Sequence, residues 1–214
     1  MRSIAKCLLA LPIALAPACL AQQQWEIGAV GGFGFPRADT VTNATGSAKA
    51  GFENGAAAGA IAGQNLYSHL GGEMRYTYRF GALMVSGGGS KATFAAQTHA
   101  IHYDLLFYSA PRGARVRPYV AGGGGIKFFR GTGQEHAYQP LSDFALLTKT
   151  QEVKGLISVG GGVKAEISTH ALLRLEFRDY ITPFPKQVIT PSPGAKLSGW
   201  LHDFVPMVGI TFAF

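Results

Sequence analysis

The segment 171–181 alternates between apolar and charged side chains over most of its length. Its apolar positions are Leu173, Leu175 and Phe177, and the charged positions between them are Arg174, Glu176 and Arg178. Successive side chains of a β-strand point to opposite faces, so this pattern predicts a strand with one apolar and one ionic face. The fold must therefore provide a different environment on each side of this strand.

The same period of two recurs from Trp25 onward, and we find no convincing helical period there. We predict eight strands, covering residues 25–35, 55–66, 70–81, 98–108, 117–129, 155–167, 171–181 and 201–214. These strands would belong to one domain of about 190 residues, a length typical of a single domain. The pattern thus predicts an all-β protein.

Charged residues form only 14% of the chain, whereas soluble domains average about 25%. A soluble sheet protein could not leave apolar faces as large as those of the predicted strands in water. In lipid the arrangement inverts, and the charged faces turn to the lumen of a barrel. Closure of the barrel also pairs every backbone group, since lipid offers no partners. We therefore predict a closed antiparallel transmembrane β-barrel.

The predicted links between strands differ in length. Those at 67–69, 109–116 and 168–170 are short, whereas those at 36–54, 82–97, 130–154 and 182–200 are long. Membrane barrels of bacteria have short periplasmic turns and long extracellular loops. The link lengths therefore predict that both chain ends lie on the periplasmic side.

The first residues have the layout of a secretory signal peptide, with Arg2 and Lys6 preceding an apolar run over 7–20. We predict cleavage after Ala21, which divides the chain into a signal peptide, 1–21, and a barrel domain, 22–214. Acylation of Cys19 is the alternative. Because Cys7 and Cys19 both precede residue 22, the processed chain would have no disulfide and no cysteine-bound metal.

Four segments carry a resemblance to a known family. The alternate residues Val208, Ile210, Phe212 and Phe214 end the chain on phenylalanine. This resembles the C-terminal strand signature of bacterial outer-membrane proteins, which the barrel-assembly machinery recognises. The segments 71–78, 117–124 and 174–180 resemble strand motifs of the small outer-membrane β-barrel family, which includes the OmpA-like transmembrane domain, OmpX-like proteins and porin-family barrels. The resemblance implies an outer-membrane location, with outer-membrane lipids and the assembly machinery as partners.

Twelve ionisable residues are predicted to face the lumen. They are Glu26, Glu73, Arg75, Arg79, His102, Asp104, Lys127, Lys164, Glu166, Arg174, Glu176 and Arg178. The interior of an eight-stranded barrel is only wide enough for its own side chains. Five acids against six bases, with one histidine, nearly cancel, and we interpret the set as an ionic plug. The alternative is a narrow pore that conducts small solutes or ions.

Aromatic residues collect near the predicted strand ends, where membrane proteins carry interfacial girdles. Trp25, Tyr108, Tyr119 and Phe214 are expected at the periplasmic rim, and Phe35, Phe80, Phe129, Tyr180 and Trp200 at the outer rim. Among the charged residues, only Asp179 is expected on a lipid-facing position, close to the outer rim.

Other chemistries have weaker support. The pairs His102 with Asp104 and His202 with Asp203 could supply the acid and base groups of a lipid-modifying barrel enzyme, but no serine matches either pair, and we predict no enzyme and no metal. The glycine runs 87–89, 122–125 and 160–162 lack the strand-to-helix context of a phosphate loop, so we expect no cofactor. Basic residues exceed acidic ones but form no cluster that would favour nucleic acid. We expect a structural or surface-interaction role, with an extracellular ligand that the sequence does not name.

Overall fold

A computed structural model describes residues 24–136 and 138–214; the predicted signal peptide and both cysteines lie outside these residues. Eight antiparallel strands form a closed ring. In ring order they are β1 (Trp25–Pro36), β4 (Gly55–Asn65), β5 (Leu70–Gly87), β6 (Ser90–Tyr108), β7 (Val116–Gly131), β9 (Gln151–Ser168), β10 (Ala171–Pro183) and β12 (Trp200–Ala213). The predicted fold class and strand number are confirmed.

The ring closes between the first and last strands. β1 pairs with β4 on one side and with β12 on the other, and Trp25 and Phe214 exchange backbone hydrogen bonds of 3.1 and 3.0 Å. A closed sheet has no free edge, which is the requirement that hydrocarbon imposes on a spanning sheet. No helix of the described residues is long and apolar enough to cross a bilayer.

The two faces of the ring have the predicted inverted polarity. On β10, Arg174 and Arg178 are fully buried inside the barrel, while Leu175 and Phe177 are 48% and 51% exposed on its outer face. The same separation holds on β5, where Arg75 is buried and Met74 is exposed. Apolar side chains therefore form the outer belt, and charged ones fill the interior.

The short links at 66–69, 109–115 and 169–170 lie at one end of the barrel, where β1 begins and β12 ends. At the opposite end, the link predicted at 82–97 is instead regular strand. β5 and β6 continue to a two-residue turn, Gly88-Gly89, whose positive φ values of 55° and 81° suit a tight hairpin. The prediction was wrong because small and hydroxyl residues between 81 and 97 obscure the alternation.

The three other long links also contain strands. β2 (Asp39–Asn43) and β3 (Gly46–Phe52) form a hairpin whose second strand pairs with β5, while β8 (Ala145–Leu147) pairs with β11 (Ile189–Pro191). These elements and the extended β5–β6 hairpin bury an outer apolar cluster at this end of the barrel. It comprises Val41, Ala48, Ala50, Phe52, Leu83, Val85, Ala92, Phe94, Ala96, Phe129, Ala145, Leu147, Phe184, Val188, Ile189, Leu197 and Leu201.

Glycines on the inner face make room for lumen side chains. A Cβ atom on Gly162 would lie 2.4 Å from the Leu175 carbonyl oxygen and 2.8 Å from both Glu176 Cβ and the Tyr119 hydroxyl. Gly155, on the outer face of the same strand, has open space at this position. Within the glycine run 160–162, Gly160 and Gly162 therefore serve packing at the lumen, since a Cβ atom on Gly160 would likewise lie 2.7 Å from Arg178 Cδ.

We expect Gly162→Ala to lower the free energy of unfolding by about 1–3 kcal/mol, because the added methyl group overpacks the lumen. Gly155→Ala should change it by less than about 0.5 kcal/mol. Urea titration of the folded protein in phosphatidylcholine vesicles measures both values. Equal effects of the two substitutions would contradict the packing role of Gly162.

Candidate functional site: a charged lumen

Three guanidinium groups and three carboxylates occupy the middle of the lumen. Arg75 lies 2.7 Å from Glu73 and 2.5 Å from Glu176. Arg174 contacts the same two carboxylates, at 2.6 and 3.2 Å. Arg178 adds a contact of 2.7 Å to Asp104. Arg178 also lies 3.7 Å from Glu73 and 3.6 Å from Glu176, so the six almost completely buried side chains form one continuous ionic group.

On the periplasmic side lies a second group, which meets this centre where the Tyr108 and Tyr119 rings pack 5.7 Å apart between centroids. Lys164 donates to the Glu26 carboxylate at 2.5 Å and to the Tyr108 hydroxyl at 2.7 Å. Asn65 donates to Glu26 at 3.0 Å and accepts from Arg117 at 3.0 Å. The Arg117 guanidinium also stacks 3.8 Å above the Tyr108 ring. Polar contacts therefore continue toward the periplasmic end of the lumen.

On the extracellular side, Asp203 holds two cations, Lys127 at 2.6 Å and Arg79 at 3.1 Å. Arg79 also donates to the backbone carbonyl of Glu53 at 3.0 Å. The Lys127 ammonium lies 5.5 Å from the centre of the Phe129 ring, and Phe129 belongs to the outer apolar cluster. The ionic interior thus ends directly against the apolar cluster.

Eleven of the twelve predicted lumen residues are buried inside the ring: Glu26, Glu73, Arg75, Arg79, His102, Asp104, Lys127, Lys164, Arg174, Glu176 and Arg178. Together with Asp203, we refer to them as the lumen network. Glu166 is a correction, since its side chain is exposed. It lies near the end of β9, where a bulge shifts the register against β10 between Ala171 and Leu172, and its side chain reaches water at the rim.

Four of the predicted girdle residues also require correction. Tyr108, Tyr119, Phe129 and Tyr180 point into the barrel and are at most 5% exposed. The other five, Trp25, Phe35, Phe80, Trp200 and Phe214, are exposed. Strand parity could have separated the two sets, since Tyr119 shares its face with Arg117, and Tyr180 with Arg178. The buried tyrosines contribute to the site: the Tyr119 hydroxyl donates to Glu176 at 2.7 Å.

Asp203 and His202 do not form the pair that the sequence suggested. As neighbours on β12 they point to opposite faces, so Asp203 enters the lumen while His202 faces outward. His202 instead lies 2.7 Å from Asp179 on the adjacent strand β10. This contact explains how an outward carboxylate is accommodated near the outer rim.

His102 and Asp104 do meet, with 3.0 Å between Nδ1 and Oδ1. The imidazole ring packs against Tyr180 at 5.2 Å between ring centres and is 2% exposed. Ser158 donates to Asp104 at 3.4 Å and not to the histidine. Within 24–136 and 138–214, no group of three His, Cys, Asp or Glu side chains is arranged to hold a metal ion. The pair is therefore packed within the network, away from solvent.

No protein-family model matches the sequence, and no curated relative was found. Solved structures do match. Neisserial surface protein A is 12% identical, with a TM-score of 0.56 over 89% of this chain and 97% of that one. The outer membrane protein OprG of Pseudomonas aeruginosa is 14% identical, with a TM-score of 0.55 over 90% and 97%. A major outer membrane protein of Thermus thermophilus is 14% identical, with a TM-score of 0.50 over 89% and 99%.

This is the fold of the small bacterial outer-membrane β-barrels. At these identities the likeness is one of fold, and it fits the apolar belt that the ring presents to its surroundings. Val208, Ile210 and Phe212 of the last strand and Phe214 directly after it lie on that belt, where each is at least 44% exposed. Recognition of these residues by the barrel-assembly machinery stays a prediction.

We expect Glu176→Gln to lower the free energy of unfolding by about 3–5 kcal/mol, because it leaves Arg75 and Arg174 without one of their carboxylate partners in the barrel interior. Glu166→Gln removes the same charge from the exposed rim and should change stability by less than about 0.5 kcal/mol. Urea titration in vesicles compares the two. A Glu176→Gln barrel as stable as the wild type would show that the ion pairs contribute little.

Proposed function

We propose that this chain is an integral outer-membrane barrel with a closed lumen and a structural or surface-interaction role. The observation that carries the proposal is the series of contacts between buried side chains that runs through the interior, from Arg117 at the periplasmic end to Phe129 in the outer apolar cluster. The proposal has two parts, a barrier inside the barrel and a presented surface outside it.

The first part rests on charge balance. Among the described residues, seven basic and six acidic side chains are buried. A pore selective for one sign of ion has a lining with an excess of the opposite charge. Here nearly every buried charge faces an opposite one at salt-bridge distance, which favours an interlocked plug over a conducting path.

The outer apolar cluster supplies a second barrier. Its side chains come from ring strands and from all of the larger links at the outer end, and Val41, Leu83 and Phe129 are completely buried. An apolar constriction opposes passage of ions because a hydrated ion would have to shed water there. Ionic contacts in the middle of the lumen and apolar packing toward the outside both support the proposed closed lumen.

The second part concerns the extracellular surface. The β2–β3 hairpin and the links around β8 and β11 are held together by specific contacts. Asn43 donates to the Asp143 carbonyl at 3.0 Å, and Ser192 donates to the Ser142 carbonyl. A rigid scaffold that presents ordered loops suits recognition of an extracellular partner. The chemistry of that partner is left open by the proposal.

The wild-type barrel should give no steady openings in a planar lipid bilayer. Replacing Arg174 and Glu176 together by alanine removes two central side chains while keeping the net charge, and should give brief, small openings through the thinned plug. The matched control replaces an exposed loop pair, Lys149 and Glu135, by alanine and should leave the bilayer silent.

The opposite result would favour the channel alternative. Steady wild-type openings that disappear in the Arg174→Ala, Glu176→Ala variant would show that these residues line a conducting path. Enzymatic activity has its own test: lipid turnover by the wild type that is lost in His102→Ala would assign a catalytic role to a residue that we place in the plug.

A further inference from the structure

The outer surface of β5, β6, β7 and β9 carries a groove of about 340 Å³ lined by Tyr76, His99, Ile101, Phe128, Arg130 and Gln151. It lies on the lipid-facing side of the barrel, away from the lumen network. Ile101 and Phe128 give it an apolar floor, and Arg130 and Gln151 stand at its upper end. The groove therefore has an apolar lower part and a cationic upper end, arranged along the barrel axis.

The height of Arg130 places the cationic part at the membrane surface. Tyr119 pairs with Tyr108 at the periplasmic end of β6, and Arg130 follows eleven residues later on β7. With a rise of about 3.3 Å per residue and a tilt of about 40°, this is about 28 Å along the barrel axis. The apolar band of such barrels is about 25 Å tall, so Arg130 lies at the level of the outer head groups.

Arg130 has no carboxylate partner. Within residues 24–136 and 138–214, no acidic side chain lies within 4.0 Å of its guanidinium, and its cross-strand neighbours are the uncharged Gln97 and Gln151. Lys91, higher on β6, is instead paired with Glu53 at 2.5 Å. The exposed guanidinium of Arg130 is therefore available to an anion from outside the protein.

Neighbouring groups are positioned to support such an anion. The Tyr76 hydroxyl and His99 Nδ1 are 2.7 Å apart. With the tyrosine as donor, Nδ1 accepts and His99 Nε2 carries the proton, so the ring can donate a further hydrogen bond. Tyr78 donates to the side-chain oxygen of Gln97, Oε1, at 2.9 Å, which leaves the side-chain NH₂ group of Gln97 as another donor. Guanidinium and amide donors suit a phosphate group.

We propose that this groove binds an outer-leaflet lipid with a phosphate head group, the phosphate on Arg130 and an acyl chain along Phe128 and Ile101. The inference depends on the membrane placement proposed above, but not on whether the lumen conducts. It assigns a separate site to the lipid-facing surface. A free phosphate would use only the upper end of the groove, whereas the apolar floor favours a lipid.

Native mass spectrometry of the refolded barrel in dodecyl maltoside tests the proposal with three probes. Dioleoyl phosphatidic acid should remain bound, dioleoylglycerol lacks the phosphate and should not, and glycerol 3-phosphate lacks the chains and should not. Arg130→Gln should weaken phosphatidic acid binding about tenfold, the loss expected for one charge-assisted hydrogen-bonding group.

The matched control is Arg37→Gln. Arg37 is an exposed arginine directly after β1, the strand diametrically opposite β7 in the ring, and its replacement should leave binding unchanged. Equal losses in both variants would indicate diffuse attraction and overturn the site, as would equal retention of dioleoylglycerol or of glycerol 3-phosphate. Heat-modifiable gel migration of every sample separates loss of binding from loss of the barrel, on which the proposed function depends.

Discussion

Eight strands enclose a space that only their own side chains can fill, and this limit governs the rest of the molecule. Because the outer face meets hydrocarbon, charged residues are confined to that narrow interior, where each one needs a partner. Arg75, Arg174 and Arg178 meet this need by sharing Glu73, Glu176 and Asp104 across strands that are distant in sequence. Backbone hydrogen bonds join each strand only to its two neighbours in the ring. The ionic contacts also link strands that are not neighbours, such as β5 and β10.

The glycines and the charges are two aspects of the same packing problem. Long side chains such as Glu176 and Arg178 occupy the lumen beside Gly162 and Gly160, where a Cβ atom would collide with them. A glycine on one strand thus lies beside a long side chain on the next, which keeps the interior densely packed. At the outer end, where charges give way to Phe52 and Phe129, packing becomes apolar and the links take part in it.

Strand positions and the inverted polarity could be predicted from sequence because the alternation of Leu173 to Arg178 leaves a single arrangement compatible with lipid. The same alternation along each strand correctly predicted that most of these charged residues face the lumen. Tyr119 and Tyr180 were wrongly predicted to lie in the girdles, because aromatic residues near strand ends resemble girdle residues even where the alternation turns them toward the lumen. Glu166 was wrongly predicted to face the lumen, because the sequence does not reveal the bulge that breaks the period near the end of β9. The outer apolar cluster also escaped prediction, because its members pair across long links and no local pattern records such contacts.

The two-residue turn at Gly88-Gly89 differs from every other connection at the outer end. A Cβ atom added at either glycine would have no neighbour within 4 Å, whereas the longer links contribute side chains to the apolar cluster. A foreign peptide inserted between these two glycines would therefore emerge from the tip of the β5–β6 hairpin without disturbing the apolar cluster beneath it. The length of an outer connection therefore does not indicate how well it tolerates an insertion. The shortest one is the most suitable place to display an epitope on the cell surface.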